Sequence, residues 1–249
     1  MMDRLKNIDN AINIMLSEME TGWTNPDTLP LKQRLMRSLI NIRQPDKPSQ
    51  DLIDAQDKEL AAQREEKGIV EIRQEGIHLW QGDITRLKVD AIVNAANSRL
   101  LGCFKPLHAC IDNVIHSAAG IQLRCYCNEI MQAQGHKEAT GQAKITPGFN
   151  LPARYVIHTV GPIIPNGKPT KEQEELLASC YRSSLKLAED YSLESIAFCC
   201  ISTGAFRFPQ ELAAKIAVNT VKEYPRRHVK TIIFNVFKDT DYALYQQLI

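Results

Sequence analysis

The sequence predicts an α/β fold, with a three-layer α/β/α sandwich around a mixed central sheet and a helical extension in front of it. Two observations carry this. From about residue 69, short β-branched runs alternate with helical stretches, as strands joined by crossover helices do. Before that point the only apolar periodicity is helical. A chain of 249 residues with 44% hydrophobic residues can bury the core such a sandwich needs.

In chain order, Leu5, Ile8, Ile12, Met15, Leu16 and Met19 recur at helical spacing, and Leu31, Leu35, Leu39 and Ile42 do so again. The breakers of "TGWTNPDTLP" separate these two helices. A third and more charged helix is expected over about 49–66, after "QPDKPS" and ended by Gly68. The boundary is placed there, with residues 1–68 as a helical extension and 69–249 as the main domain. Strands are expected at "IVEIR", "IHLWQGDI", "VDAIVNA", "RYVIHTV", "SIAFCCIS" and "KTIIFNVF", several of them apolar on both faces as buried parallel strands are. Helices are expected over "CIDNVIHSAAGIQLRCYCNEIMQAQ", "KEQEELLASCYRSSLKLAEDY" and "PQELAAKIAVNTVKEY".

Thirty basic residues against twenty-nine acidic ones leave a formal charge of +1, which disfavours nucleic acid and membrane surfaces as partners of the whole molecule. No run approaches a membrane span and the first residues lack a signal core, so a cytoplasmic location is expected. Seven cysteines, an odd set with four of them crowded between 103 and 127, favour thiols or metal ligands over a disulfide framework. A P-loop and a GxGxxG fingerprint are both missing from the sequence, which argues against the nucleotide chemistries they serve.

Ligands of such sheets bind at the carboxyl ends of strands. Three strand ends carry polar or small residues: Asp83 in "WQGDIT", Asn94 and Asn97 in "AIVNAAN", and the turn "CCISTGAFRFP". Asp83 is either a turn cap or an acceptor for an exocyclic amine. Asn94 and Asn97 either satisfy local backbone groups or orient sugar hydroxyls. Ser202, Thr203, Gly204 and Ala205 form either a plain strand-to-helix turn or an anion cradle.

A fourth stretch, "GCFKPLHACIDN", holds Cys103, His108 and Cys110 in a C-x4-H-x-C pattern. Two thiolates and an imidazole suit Zn²⁺, and three ligands leave a coordination position open. Packing of buried thiols is the competing reading. Cys125 and Cys127, two apart on a helix, point in different directions, and neither is expected at that site. His116 lies beside an apolar stripe and is expected to be a hydrogen-bonded structural histidine. Asp112, in the first turn of a helix, could simply favour the helix N-terminus.

Together "GDIT", "VDAIVNAANSRLLG", "IDNVIHSAAG", "GQAKITPGFNLPARYVIHTVGP" and "ISTGAFRFP" resemble the macrodomain family, in the branch that removes ADP-ribose from proteins. The resemblance implies that Asp83, with Ile84 beside it, holds the adenine amine. It places Asn97 on the distal ribose, with Asn94 supporting the loop. It wraps Ser202, Thr203, Gly204, Ala205 and Phe206 around the diphosphate and packs Phe237 on adenine. Asp112 becomes the catalytic residue, with Asn97 beside it. One departure is informative: where hydrolytic macrodomains carry a run of glycines, this chain carries Cys103, His108 and Cys110. That is similar to the zinc-containing microbial subgroup, whose members also have a helical N-terminal extension. The resemblance therefore implies one Zn²⁺ per chain, and ADP-ribose and mono-ADP-ribosylated protein as ligands of a monomeric hydrolase. A non-catalytic ADP-ribose-binding module and a hydrolase of small ADP-ribosyl metabolites are the alternatives.

Overall fold

The computed structural model describes residues 2–249, apart from the side chain of Met2. Helices α1 (Met2–Glu18), α2 (Leu29–Ile42) and α3 (Gln50–Lys67) come first. Ile8, Ile12 and Met15 of α1 meet Met36, Leu39 and Ile40 of α2 and Leu52 and Leu60 of α3 in an apolar cluster that takes in Ile121 of the main domain. Leu31, expected on the buried stripe, is instead exposed, because α2 turns Lys32 and Met36 inward and the Lys32 ammonium pairs with Asp9. Glu59, fully buried on α3, is satisfied by Arg4 at 2.8 and 3.0 Å, Gln33 at 3.0 Å and Gln63 at 2.9 Å, so one carboxylate ties the three helices together. The Ser49 side chain caps the start of α3, and Gly68, at φ 75°, turns the chain out of it.

The sheet is six-stranded in the order β1-β6-β5-β2-β4-β3, from β1 (Gly76–Gln81), β2 (Ala91–Ala95), β3 (Ala143–Pro147), β4 (Tyr155–Thr159), β5 (Ser195–Phe198) and β6 (Thr231–Val236). Every neighbouring pair is parallel except β3 with β4. The sheet is therefore mixed, with its one antiparallel strand at an edge. The "IVEIR" segment is not a strand of it: Val70 alone makes a bridge, to Leu87, while Glu71 and Arg73 pair on the surface. Strand β3 was not expected, because "AKITP" carries Lys144 and ends in Pro147, a composition that only an edge tolerates.

Five further helices complete the described residues: α4 (Ile111–Ala119), α5 (Ile121–Gln134), α6 (Lys171–Asp190), α7 (Gln210–Glu223) and α8 (Asp239–Gln246). The expected single helix over 110–134 is two, broken at Gly120. A Cβ there would come within 2.7 Å of Gln56 Nε2, and the backbone sits at φ 95°. Gln56 of α3 fills that break, with Oε1 accepting the Ile121 N–H at 2.9 Å. Helix α8, short and headed by Asp239 and Asp241, offers too few apolar residues to be seen as a pattern.

Alternation along the strands sorts the helices into layers. Phe198 and Phe234, side by side on β5 and β6, pack against Tyr181 of α6 and Tyr245 of α8. Asn94 and His158, paired on β2 and β4, point the opposite way, toward α4 and α5. The α1–α3 layer lies outside α4. Because the five parallel strands run one way, their carboxyl ends share one edge of the sheet. Among the described residues no helix is long and apolar enough to cross a membrane.

Candidate active site

Asp112 is at the centre of that edge. It lies in the first turn of α4 and is only 6% exposed. Asn94 at the end of β2 donates Nδ2 to its Oδ1 at 2.8 Å, and Asn97 donates Nδ2 to its Oδ2 at 3.2 Å. Burial pushes the Asp112 carboxyl up to about 6, against the two amides and the nearby Arg124 charge, which favour the ionised form. A carboxylate whose pKa lies near neutrality, at a strand-end cleft, is suited to exchanging a proton with a bound reactant.

The two asparagines differ in reach. Asn97 is half-buried; its Nδ2 also donates to Gly102 O at 2.9 Å and its Oδ1 accepts the Arg99 N–H at 3.0 Å, so it shapes the turn after β2. Asn94 is wholly buried. Its Nδ2 touches Asp112 and comes to 3.1 Å from His158 Nδ1, while its Oδ1 lacks a hydrogen-bond partner among the described residues.

Cys103, His108 and Cys110 come together, their ligand atoms all within 4.8 Å of one another. Cys103 Sγ is 3.5 Å from His108 Nδ1. Cys110 Sγ also caps α4, accepting the Asn113 N–H at 3.5 Å. Burial, joined by the charges of Cys103 and Asp112, pushes the Cys110 thiol up to about 11. Such a thiol ionises readily only beside a cation, and a coordinated metal deprotonates it. All three groups are partly exposed, and two sulfurs with one imidazole form a donor set that fits zinc. Cys125 points elsewhere, to Asp46 O at 3.5 Å.

The turn after β5 presents a second feature. Ser202, at φ 64°, is held in the left-handed region, and its buried Oγ lacks a hydrogen-bond partner among the described residues. The close neighbour is Gly161, where a Cβ would fall 2.0 Å from Ser202 Oγ. Thr203 Oγ1 donates to Cys200 O at 3.0 Å, closing the turn. The amides of Gly204, Ala205 and Phe206 find no protein acceptor among the described residues, whereas Arg207 N donates to Gly204 O and Phe208 N to Ser202 O. Three free N–H groups on one exposed turn can cradle an anion.

At the far end, Asp83 Oδ1 accepts from Thr85 N at 3.0 Å and Thr85 Oγ1 at 2.7 Å, capping a single 3-10 turn. Its Oδ2 faces Lys67 at 3.2 Å. Burial raises this carboxyl, but Thr85 and Lys67 outweigh it and hold it below the usual carboxylate value. Ile84 is sealed in the core, so its side chain is not presented to a ligand. Phe237, just past β6, is 76% exposed, which removes the core reading and leaves its ring free.

Several neighbours of this site were not legible beforehand. His116 is buried but makes no hydrogen bond among the described residues, contrary to expectation; its Nε2 comes to 3.5 Å from Asp112 Oδ1 and its ring packs against Gly102. His116, Cys127 and His158 also cluster, all buried. His158 Nε2 meets Thr146 Oγ1 at 3.0 Å. Only the position of His158 inside an apolar strand hinted at this. Arg124, buried on α5, donates to Leu101 O at 2.7 Å, to Ile40 O at 2.8 Å and to Arg43 O at 2.6 Å, and lies 4.3 Å over the Phe104 ring.

Comparison with known proteins adds an independent line. A family model described as "Macro domain" matches residues 93–217. A protein-ADP-ribose hydrolase of Treponema medium is 51% identical over 238 residues, covering 91% of this chain and 91% of that protein. One of Staphylococcus aureus (strain MRSA252) is 48% identical over 246 residues, covering 96% of this chain and 89% of its own. Among solved structures, the Oceanobacillus iheyensis macrodomain with ADP aligns with a TM-score of 0.63 at 39% identity, over 71% of this chain and 90% of that one. The Trypanosoma brucei macrodomain in complex with ADP-ribose aligns with a TM-score of 0.58 at 30% identity, over 96% and 85%.

Proposed function

The chain belongs to the Macro domain family, and from that premise we propose that it is a zinc-dependent hydrolase removing mono-ADP-ribose from modified protein side chains. The catalytic domain in this reading is residues 69–249, and free ADP-ribose is the product. The names of the relatives support the activity. The metal reading rests on the thiol and imidazole donors of Cys103, His108 and Cys110.

The observation that carries the proposal is the state of Asp112: buried, gripped by two amides, and two residues past the last metal donor. Its carboxylate orients the water that attacks C1 of the distal ribose or takes that water's proton; the C1 bond to the modified side chain breaks, and the departing side-chain atom takes up a proton. Asn97, half-exposed beside it, holds a ribose hydroxyl. Amides of Gly204, Ala205 and Phe206 bind the diphosphate, with Ser202 and Thr203 setting their direction, and this binding energy positions the reacting end. The Phe237 ring packs on adenine and Asp83 accepts from its amine. Cys103, His108 and Cys110 would hold zinc, which when bound supplies a Lewis-acidic template for an oxygen at the ribose end. A module that only binds ADP-ribose has no use for a carboxylate in this state.

The test is a hydrolysis panel: proteins mono-ADP-ribosylated on different residue types, and an acetylated ADP-ribose, each with and without a chelator. Release from a protein substrate, lost in Asp112→Ala while that variant still binds ADP-ribose in calorimetry, is the expected result. Full turnover by Asp112→Ala removes Asp112 from the mechanism. Turnover of the acetylated compound alone would reassign the substrate class.

A further inference from the structure

Helix α2 belongs to the N-terminal layer, yet it reaches the metal loop at two residues about one helical turn apart. Arg37 Nη2 donates to His108 O at 3.0 Å and to Asn113 Oδ1 at 3.0 Å. Asn41, wholly buried, accepts the Leu107 N–H on Oδ1 at 2.9 Å and donates Nδ2 to Ser117 Oγ at 2.8 Å. Leu107 sits at φ 55°, a backbone region that an L-residue with a branched side chain keeps only when its surroundings hold it there.

Asn113 extends this hold to the other donors. Its Nδ2 donates to Cys103 O at 3.3 Å and to Lys105 O at 3.0 Å, while its backbone N–H goes to Cys110 Sγ. The backbone beside each donor is thus pinned: Cys103 through Asn113, His108 by Arg37, and the Cys110 sulfur by the first turn of α4. Arg37 completes the set by holding the Asn113 amide in the one orientation that lets its Nδ2 face the loop carbonyls. Apart from Arg37 and Asn41, α2 buries Met36, Leu39 and Ile40 in the apolar cluster with α1, α3 and Ile121.

We propose that Arg37 and Asn41 are positioning residues for the metal loop, so that the N-terminal layer is a working part of the hydrolase and not only a cover for α4. This rests on the zinc-hydrolase reading above. Partners that fix the ligands of a metal typically change its affinity by about ten- to a hundred-fold when removed.

The experiment compares the full-length parent with Arg37→Met, which keeps the apolar stem and loses the donor, with Arg37→Lys, which keeps a donor, and with Asn41→Leu. Thermal transitions establish that each variant is folded. Zinc release to a chromogenic chelator is expected to be roughly ten-fold faster in Arg37→Met, with partial recovery in Arg37→Lys. The kcat on an ADP-ribosylated protein is expected to fall about ten-fold, while ADP-ribose affinity by calorimetry and KM stay within about two-fold of the parent. Hydrogen exchange at amides 103–110, measured on metal-free protein, is expected to be faster in Arg37→Met and in Asn41→Leu. Folded variants with parental exchange there and parental kcat would overturn the proposal. A parent that takes up no zinc would overturn the zinc reading alone, and the exchange comparison would still decide whether α2 holds the loop.

Discussion

Asn94 Nδ2 stands 2.8 Å from Asp112 Oδ1, joining the last turns of the sheet edge to the first turn of α4 through one buried hydrogen bond. Removing the amide leaves a buried carboxylate with one donor fewer, a loss of about 1.5–3 kcal/mol for a hydrogen bond to a charged group. Asn94→Ala should therefore lower both the thermal transition and kcat, the latter by roughly ten-fold or more. ADP-ribose affinity should stay close to the parent if the buried Asn94 acts through Asp112 alone. Calorimetry beside steady-state kinetics checks the split, and a variant that lost binding instead would place Asn94 against the ligand.

Metal content follows from the donor count. Purified protein should carry about one zinc per chain, and the Cys103→Ala, Cys110→Ala double variant should carry little. Elemental analysis reads this directly. A double variant that retained full metal would move the ion to other ligands.

Gly161 makes room for the strained turn at Ser202. Gly161→Ala should displace that turn and weaken ADP-ribose binding by roughly ten-fold, about 1.4 kcal/mol. Zinc content should not change, since Cys103, His108 and Cys110 lie in a different loop. Binding at the parental affinity would show that the 202–206 amides do not hold the diphosphate.

Phe237 separates binding from stability. At 76% exposure its removal should leave the unfolding free energy from urea titration within about 0.5 kcal/mol of the parent, as surface substitutions usually do. Stacking on a flat ring is worth about 0.5–1.5 kcal/mol, so Phe237→Ala should lose a few-fold in ADP-ribose affinity. Equal affinity would leave the adenine without its aromatic partner.

Acid should destabilise the fold through two histidines. Burial holds His158 down to about 3 and His116 well below its ordinary value, with the His158 charge a second cause for the latter. The unfolded chain protonates both near 6.5, so between that pH and the folded values the unfolded state binds more protons and stability falls as pH falls. The loss is up to about 1.4 kcal/mol per histidine for each pH unit. Urea midpoints from pH 7.5 to 5, measured on an Asp112→Asn background so that this carboxyl does not titrate, should decline steadily. A flat series would mean that neither ring is sealed from protons.

How much of this was legible depends on what each residue does. Strands β2, β4, β5 and β6 are nearly continuous apolar runs, and their periodicity is the signal of burial. Strand β3 and helix α8 lie at the margins of the fold, where polar residues suffice and no apolar pattern is needed. The break at Gly120 was hidden because its cause, Gln56, lies 64 residues earlier in the chain. In the site, Cys103, His108, Cys110 and Asp112 were visible as chemistry crowded into ten positions. Arg37 and Asn41 were not, because a donor on an amphipathic helix carries no mark of the distant carbonyl it will meet.

Cys110 ends the loop and starts the helix with the same sulfur. That shared atom restricts how such a loop can be altered or transplanted. One residue gained between Cys110 and Asp112 would rotate the carboxylate by about 100° around the helix axis. The segment from Cys110 to Asn113 therefore behaves as one block: a substitution that removes the Cys110 sulfur also removes the cap of α4.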